Sequence, residues 1–329
     1  MSPESSLRPL FEDTIARLRQ HAEVDVWPDS DSLPRDELLR RLRDVDAVLC
    51  LLADRIDAEA LDAGPRLRIV ANMAVGYDNI DVPAATRRSI VVTNTPGVLT
   101  ETTADLTFAL LLAAARRVAE GDRFVRAGGW KTWSPSLLLG HDVHDATLGV
   151  VGMGQIGLAV ARRARGFNMR ILYTDIEQQP EAEAALGAER VDLDRLLRES
   201  DFVSLHVFLA PETRHLIGER ELSLMKSTAI LVNAARGPVV DQPALYRALA
   251  EGRIAAAGLD VAEVEPIPLD DPLLTLENVV ITPHIGSATI ATRLRMANMA
   301  AENIEQALRG ELPSHCLNPQ AFGRATGNK

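Results

Sequence analysis

The stretch Thr147–Asp175, TLGVVGMGQIGLAVARRARGFNMRILYTD, decides the fold. An apolar run, Thr147–Val151, enters Gly152-x-Gly154-x-x-Gly157, and an Ala-, Val- and Arg-rich helical pattern follows. Between a strand and a helix, each glycine of this spacing has its own task. The first makes a tight turn, the second lets backbone approach a pyrophosphate, and the third lets helix and strand pack closely. The helix start adds free N–H groups and the positive end of its dipole. Asp175 ends the next β-branched run, 18 residues beyond Gly157. A carboxylate there accepts hydrogen bonds from a ribose and repels a 2′-phosphate. Neither Ile176 nor Glu177 offers a cation to that phosphate, so NAD is favoured over NADP. A glycine-rich structural turn with a surface Asp is the plainer alternative.

Working outward, short β-branched runs alternate with longer helical patterns. One series of expected strands is Val24–Trp27, Ala47–Leu51, Leu67–Ala71 and Ile90–Thr93. A second is Thr147–Val151, Arg170–Thr174, Phe202–Leu205, Ala229–Val232, Ala256–Leu259 and Val279–Thr282. Strands separated by helices imply βαβ units and parallel sheets covered on both faces. The fold class is therefore α/β, with two doubly wound domains. A helix starting at Thr100, with Ala104, Phe108, Leu111 and Leu112 on its apolar face, lies between the two series. A helical pattern over Ala288–Leu308 follows the last strand, and FGRATGNK reads as a frayed tail.

Composition excludes several classes of function. The formal charge of −11 opposes a nucleic-acid or anionic-membrane surface, which needs clustered Lys and Arg. The basic run Arg35–Arg43 alternates with acids and reads as a solvated helix face. Only Cys50 and Cys316 occur, with no CxxC pattern, which suits a reducing cytoplasm. The N-terminus has no basic n-region or apolar h-region, and ADLTFALLLAAARRV is too short to span a bilayer. His141 and His144 have no third ligand nearby in sequence, so no metal site is expected.

Three polar residues stand at or just past expected strand ends, where open α/β sheets bind ligands. Arg236 follows AILVNAARG, Glu265 follows AAAGLDVAEVEP, and His284 follows VVITPH. A histidine between Pro283 and Gly286 has three readings: a solvated loop residue, a satisfied core histidine, or a proton donor aimed at a substrate. Its companions favour the third. An arginine holds a substrate carboxylate in a bidentate fork. A histidine protonates a carbonyl oxygen, and a glutamate on its other nitrogen favours the imidazolium. These are the parts needed to reduce a 2-keto acid.

The successive motifs VVGMGQIG, NAARGPVVD, GLDVAEVEP and TPHIGS resemble the signatures of the D-isomer-specific 2-hydroxyacid dehydrogenases. ANMAVGYDNIDV, TPGVLTETTAD and GGWKTW are most similar to the glyoxylate/hydroxypyruvate reductases among them. The resemblance covers nearly the whole chain and implies reduction of glyoxylate or hydroxypyruvate to the D-2-hydroxy acid. It makes Arg236, Glu265 and His284 catalytic. It also implies a Rossmann nucleotide-binding domain, residues 100–285, inserted in a flavodoxin-like substrate domain, residues 1–99 and 286–329. The residues it implies at the cofactor are Thr103, Gly152, Met153, Gly154, Gln155, Ile156, Gly157, Asp175, His206, Val207, Thr213, Ala234, Ala235, Arg236, Asp260, His284 and Gly286. Asp260 has a second reading, a strand-end cap. Val75 and Gly76 would offer backbone N–H groups to the substrate, beside Arg236 and His284. The family usually works as a homodimer, in which Trp133 would close the partner's pocket. The alternative is that Trp133 merely packs the interface.

The chain departs from the family pattern in places. MSPESSLRPL has no equivalent of the usual first strand. Phe208 stands for a proline, Asp145 for a glycine, and Ala262 for a frequent aromatic. Other functions in view are oxidation of another D-2-hydroxy acid, such as D-lactate or D-3-phosphoglycerate, and a non-catalytic NAD-sensing protein.

Overall fold

A computed structural model describes residues 7–28 and 33–325. The chain separates into two compact units. One is built from the segments up to Leu99 and from Ser287 onward, the other from Thr100–Gly286. Gly286 belongs to the second unit rather than opening the return segment, because its N–H donates to Asp260 at 2.7 Å.

The first unit begins with α1 (Leu7–Arg19), α2 (Arg35–Leu42), β1 (Ala47–Cys50), α3 (Ala58–Ala63), β2 (Ile69–Asn72), α4 (Val82–Arg87) and β3 (Val91–Thr93). Its three strands pair in parallel in the order β1-β2-β3. Leu38, Leu42, Leu61 and Ala84 fill one face of this sheet. The four residues of β2 are all buried, as a strand covered on both faces requires.

The second unit holds α5 (Thr100–Ala115), α6 (Val118–Arg126), β4 (Thr147–Val151), α7 (Gln155–Ala164), β5 (Arg170–Thr174), α8 (Pro180–Leu186), β6 (Glu189–Arg190) and α9 (Leu193–Glu199). It continues with β7 (Phe202–Leu205), α10 (Glu219–Leu224), β8 (Ile230–Asn233), α11 (Gln242–Ala250), β9 (Ala256–Leu259) and β10 (Val279–Ile281). Seven parallel strands run in the order β10-β9-β8-β7-β4-β5-β6. That order reverses between β4 and β7, so the crevice for a ligand opens where these two strands end. Helix α5 is buried against β8 and β9, and Gly258 makes the approach possible: a Cβ there would sit 3.0 Å from Leu110 Cβ.

The chain then returns to the first unit as α12 (Ile290–Leu308) and α13 (Pro319–Ala325). Ala300, Ala301, Ile304 and Ala307 of α12 cover the second face of the three-stranded sheet, with α1 beside them.

The α/β class and the parallel sheets are as the sequence implies, and several details differ. Val24–Trp27 is not a strand: it forms no ladder with β1, whose sheet neighbour among the described residues is β2 alone. Val26 is instead exposed, and Arg41 stacks over the Trp27 ring. Where a first strand is usual in the family, residues 1–6 lie outside the described residues and α1 follows directly. Of the expected frayed tail, residues up to Ala325 are helical, and 326–329 lie outside the described residues. The short strand β6 has no periodicity to reveal it. No helix among the described residues is long and apolar enough to cross a membrane.

Candidate active site

The glycine loop lies at the reversal of strand order. Gly152 has φ +93°, and a Cβ on it would meet the His206 carbonyl carbon at 2.9 Å and Val207 Cγ1 at 3.0 Å. A Cβ on Gly157 would press on Gly152 O at 2.1 Å, whereas Gly154 faces open space. The loop is thus tight where the chain packs on itself and open where a phosphate would approach. Gly154 N-caps α7 with no side-chain hydrogen bond, which leaves the N–H groups near Gln155 and Ile156 for an anion. Met153 N–H donates to Asp175 Oδ2 at 2.6 Å, fixing the carboxylate beside the loop. These residues fit a dinucleotide.

Sequence reasoning saw no cation near Asp175, and the structure brings one. Arg190 Nη2 donates to the carbonyl oxygens of Asp175 and Ile176, at 2.8 and 3.1 Å. It arrives from β6, which pairs with β5 through Tyr173 and Arg190. His206 shares a 2.8 Å hydrogen bond with Ser204 Oγ, and burial pushes its imidazole down to about 3, so the ring is neutral.

The loops ending β8, β9 and β10 carry the polar trio. After β8, Asn233 holds the turn that presents Ala234, Ala235 and Arg236. Its Oδ1 accepts from Ala235 N–H at 3.0 Å and its Nδ2 donates to Arg236 O at 2.9 Å. After β9, Asp260 is buried and both oxygens of its carboxylate bond to the β10 loop. Oδ1 accepts from Thr282 Oγ1 at 2.6 Å and from Ile285 N–H at 2.8 Å, and Oδ2 from Gly286 N–H. His284 N–H donates to Asp260 O at 2.8 Å. These bonds hold His284 at φ +52°, a left-handed conformation that costs a non-glycine residue about 1–2 kcal/mol. Four hydrogen bonds of about 1 kcal/mol each offset that cost. Asp260 therefore caps its strand end, and Thr103 closes in on the same spot, since a Cβ on Gly286 would lie 3.3 Å from Thr103 Cγ2.

His284 Nδ1–H donates to Glu265 Oε2 at 2.8 Å, and Glu265 Oε1 accepts from Ala262 N–H at 3.1 Å. Burial alone would raise the Glu265 carboxyl. The hydrogen bond from His284, that imidazole's charge, the Ala262 N–H and the positive charge of Arg236 outweigh it, so the group sits below the ordinary carboxylate range. Arg236, Glu265 and His284 thus act on one another within a single unit.

Other expected contacts are not part of this cluster. Thr213 spends its hydroxyl on its own turn, accepting from Ala210 N–H at 2.8 Å and donating to Phe208 O at 2.6 Å. Val75 and Gly76 lie in the first unit, after β2, where Asn94 and Asn72 donate to their carbonyls at 2.8 Å. Trp133 is 78% exposed, in the segment after α6. Sequence reasoning missed the braces Asn72, Asn94 and Asn233. The signal was available, an asparagine closing or following an apolar strand before a polar turn. Asp145, standing for a glycine, does take positive φ, +60°, where its carboxylate meets Asn168 Nδ2. No cluster of three metal-ligating side chains occurs among the described residues.

A sequence profile for the D-isomer specific 2-hydroxyacid dehydrogenase NAD binding domain matches residues 108–286. The chain belongs to that family of NAD(P)-dependent oxidoreductases. Among particular proteins, it is 59% identical over 314 residues to the glyoxylate reductase of Korarchaeum cryptofilum, covering 95% of each chain. Its fold is similar to the crystal structure of a Thermus thermophilus protein, with a TM-score of 0.88, 48% identity and coverage of 93% and 96%. A glyoxylate reductase from Paecilomyes thermophila superposes with a TM-score of 0.83 at 36% identity, with coverage of 94% and 95%.

Proposed function

We propose that the protein reduces a two- or three-carbon 2-keto acid, glyoxylate or hydroxypyruvate, to the D-2-hydroxy acid with NADH. The observation that carries this reading is the 2.8 Å bond from His284 Nδ1 to Glu265, beside the charge of Arg236. The similarity to glyoxylate reductases supports the substrate class. When bound, the reduced nicotinamide supplies the hydride. Gly152, Gly154, Gly157, the first turn of α7 and Asp175 would hold the dinucleotide, with Asp175 favouring NADH.

Arg236 holds the substrate carboxylate by charge and a bidentate fork. His284, fixed through Nδ1, turns Nε2 to the carbonyl and gives its proton to the oxygen that becomes the hydroxyl. Glu265 stays ionised and stabilises the imidazolium until the proton leaves. Positioned proton transfer of this kind is worth roughly 100- to 10,000-fold in rate. The assignment of Val75 and Gly76 to the substrate rests on the resemblance alone.

The same reading makes the protein a cytoplasmic homodimer. Free Cys50 and Cys316 suit a reducing compartment. Helix α6 has no buried residue, and Val118, Val125, Trp130, Trp133, Leu137 and Leu139 on it and the following segment are exposed, as at an interface.

Initial rates with NADH and NADPH on a panel of keto acids test the proposal. The highest kcat/KM is expected for glyoxylate or hydroxypyruvate with NADH. Preference for a longer acid, or no turnover, overturns the substrate reading, and preference for NADPH overturns the role of Asp175.

A further inference from the structure

A second histidine–glutamate pair sits on the same short segment as the first. His215 Nε2–H donates to Glu263 Oε1 at 2.8 Å, and Glu263 lies two residues before Glu265. Alternate glutamates of the β9 loop thus reach different histidines, Glu263 to His215 and Glu265 to His284.

His215 ties three loops together. Its own chain follows β7. Its N–H donates to Pro238 O at 2.8 Å, two residues past Arg236, and Ile217 N–H then donates to Val239 O at 3.1 Å. This register holds the backbone of His215 at φ +53°, a left-handed position for a non-glycine residue. Its ring then reaches the third loop through Glu263. That loop is pinned from two further sides. Glu263 N–H donates to Gln242 Oε1 at 2.8 Å, and Gln242 Nε2 donates to Asp271 Oδ2 at 2.6 Å. Below it, a Cβ on Gly237 would fall 1.8 Å from Ala262 O, so only glycine lets the Arg236 turn and the Glu265 loop touch. Ala262 is also the residue whose N–H meets Glu265 Oε1. A shift at Ala262–Glu263 therefore moves the carboxylate that orients His284. Arg214, 3.9 Å from Glu263, adds a weak charge partner and no geometric constraint.

We propose that the His215–Glu263 pair is a positioning clamp that keeps Glu265 on His284 and Arg236 in register with both. The proposal rests on the catalytic reading of His284 and Glu265. His215 gives no proton to the substrate. It acts through the segment 262–265, and misplacement of a catalytic group by about 1 Å costs on the order of 100-fold.

The test compares His215→Ala, His215→Gln and Glu263→Ala with wild type and His284→Ala, by kcat against pH, NADH Kd and Tm. His215→Ala and Glu263→Ala are expected to lower kcat for glyoxylate about tenfold and to move the alkaline limb of the profile to lower pH, with NADH Kd nearly unchanged. His215→Gln, which keeps an N–H donor, is expected to restore most of kcat. If His284→Ala is inactive while both alanine variants keep wild-type kcat and limb, the clamp is refuted and the catalytic reading stands. A fall in Tm alone, without a moved limb or rescue by Gln, also refutes it. An active His284→Ala removes the catalytic reading and the clamp with it.

Discussion

At the ends of β8, β9 and β10, polar groups are satisfied within the chain: Asn233 braces the Arg236 turn, Asp260 uses both oxygens on the His284 loop, and Glu265 bridges His284 and Ala262. From Val118 to Leu139 the opposite holds. Helix α6 buries nothing, Trp130 and Trp133 are 60% and 78% exposed, and Gly128 carries positive φ. Both regions belong to one unit. The first is rigid because each hydrogen bond fixes the next, and it needs no other chain to be assembled. The second has large apolar side chains whose full burial is worth about 1.5–3 kcal/mol each, which a second copy would supply. Under the proposed function, the difference separates the residues assigned to chemistry from those assigned to an interface.

Removing the proton donor strikes the first region hardest. His284→Ala is expected to lower kcat at least about 100-fold while leaving NADH binding nearly intact, as measured by steady-state rates and NADH fluorescence titration. Wild-type turnover at neutral pH would erase the contrast, since the self-contained cluster would then not be the seat of the reaction. Trp133→Ala probes the second region. If Trp133 limits a pocket, kcat/KM for a four- or five-carbon keto acid rises about tenfold relative to glyoxylate. If it only packs copies together, sedimentation shows weaker dimers and the substrate ratio stays put.

Much of the fold was legible because strands such as Val279–Ile281 are continuous apolar runs bounded by turn residues. Val24–Trp27 misled because its apolar pattern forms no ladder with a neighbouring strand among the described residues, and a strand is defined by its ladder as much as by its residues. The polar trio could be read from its places at strand ends. The agents that hold it could not. Asp260 has two readings, and its bonds to the β10 loop, which support the strand-end cap, come from residues more than 20 positions away. Arg190 and His215 act through backbone carbonyls and loops distant in sequence, and no local pattern records such contacts. Left-handed φ at His284 was likewise hidden, because it is not glycine, whereas at Asp145 the glycine usual in the family signalled it.

The most direct measurement of the central claim is the pH profile of kcat for glyoxylate reduction in wild type and Glu265→Gln, at saturating NADH. Glu265 lies below the ordinary carboxylate range, so its carboxylate is ionised through neutral pH and loses its charge only as pH falls through that lowered value. On the other side, the protonated imidazole is the donor, and it is lost as pH rises. Glutamine keeps one acceptor oxygen, which can serve His284 Nδ1–H or Ala262 N–H but not both as the two carboxylate oxygens do, and it removes the charge that favours the imidazolium. The alkaline limb is therefore predicted to move toward lower pH. A limb that stays at the wild-type position would contradict the account.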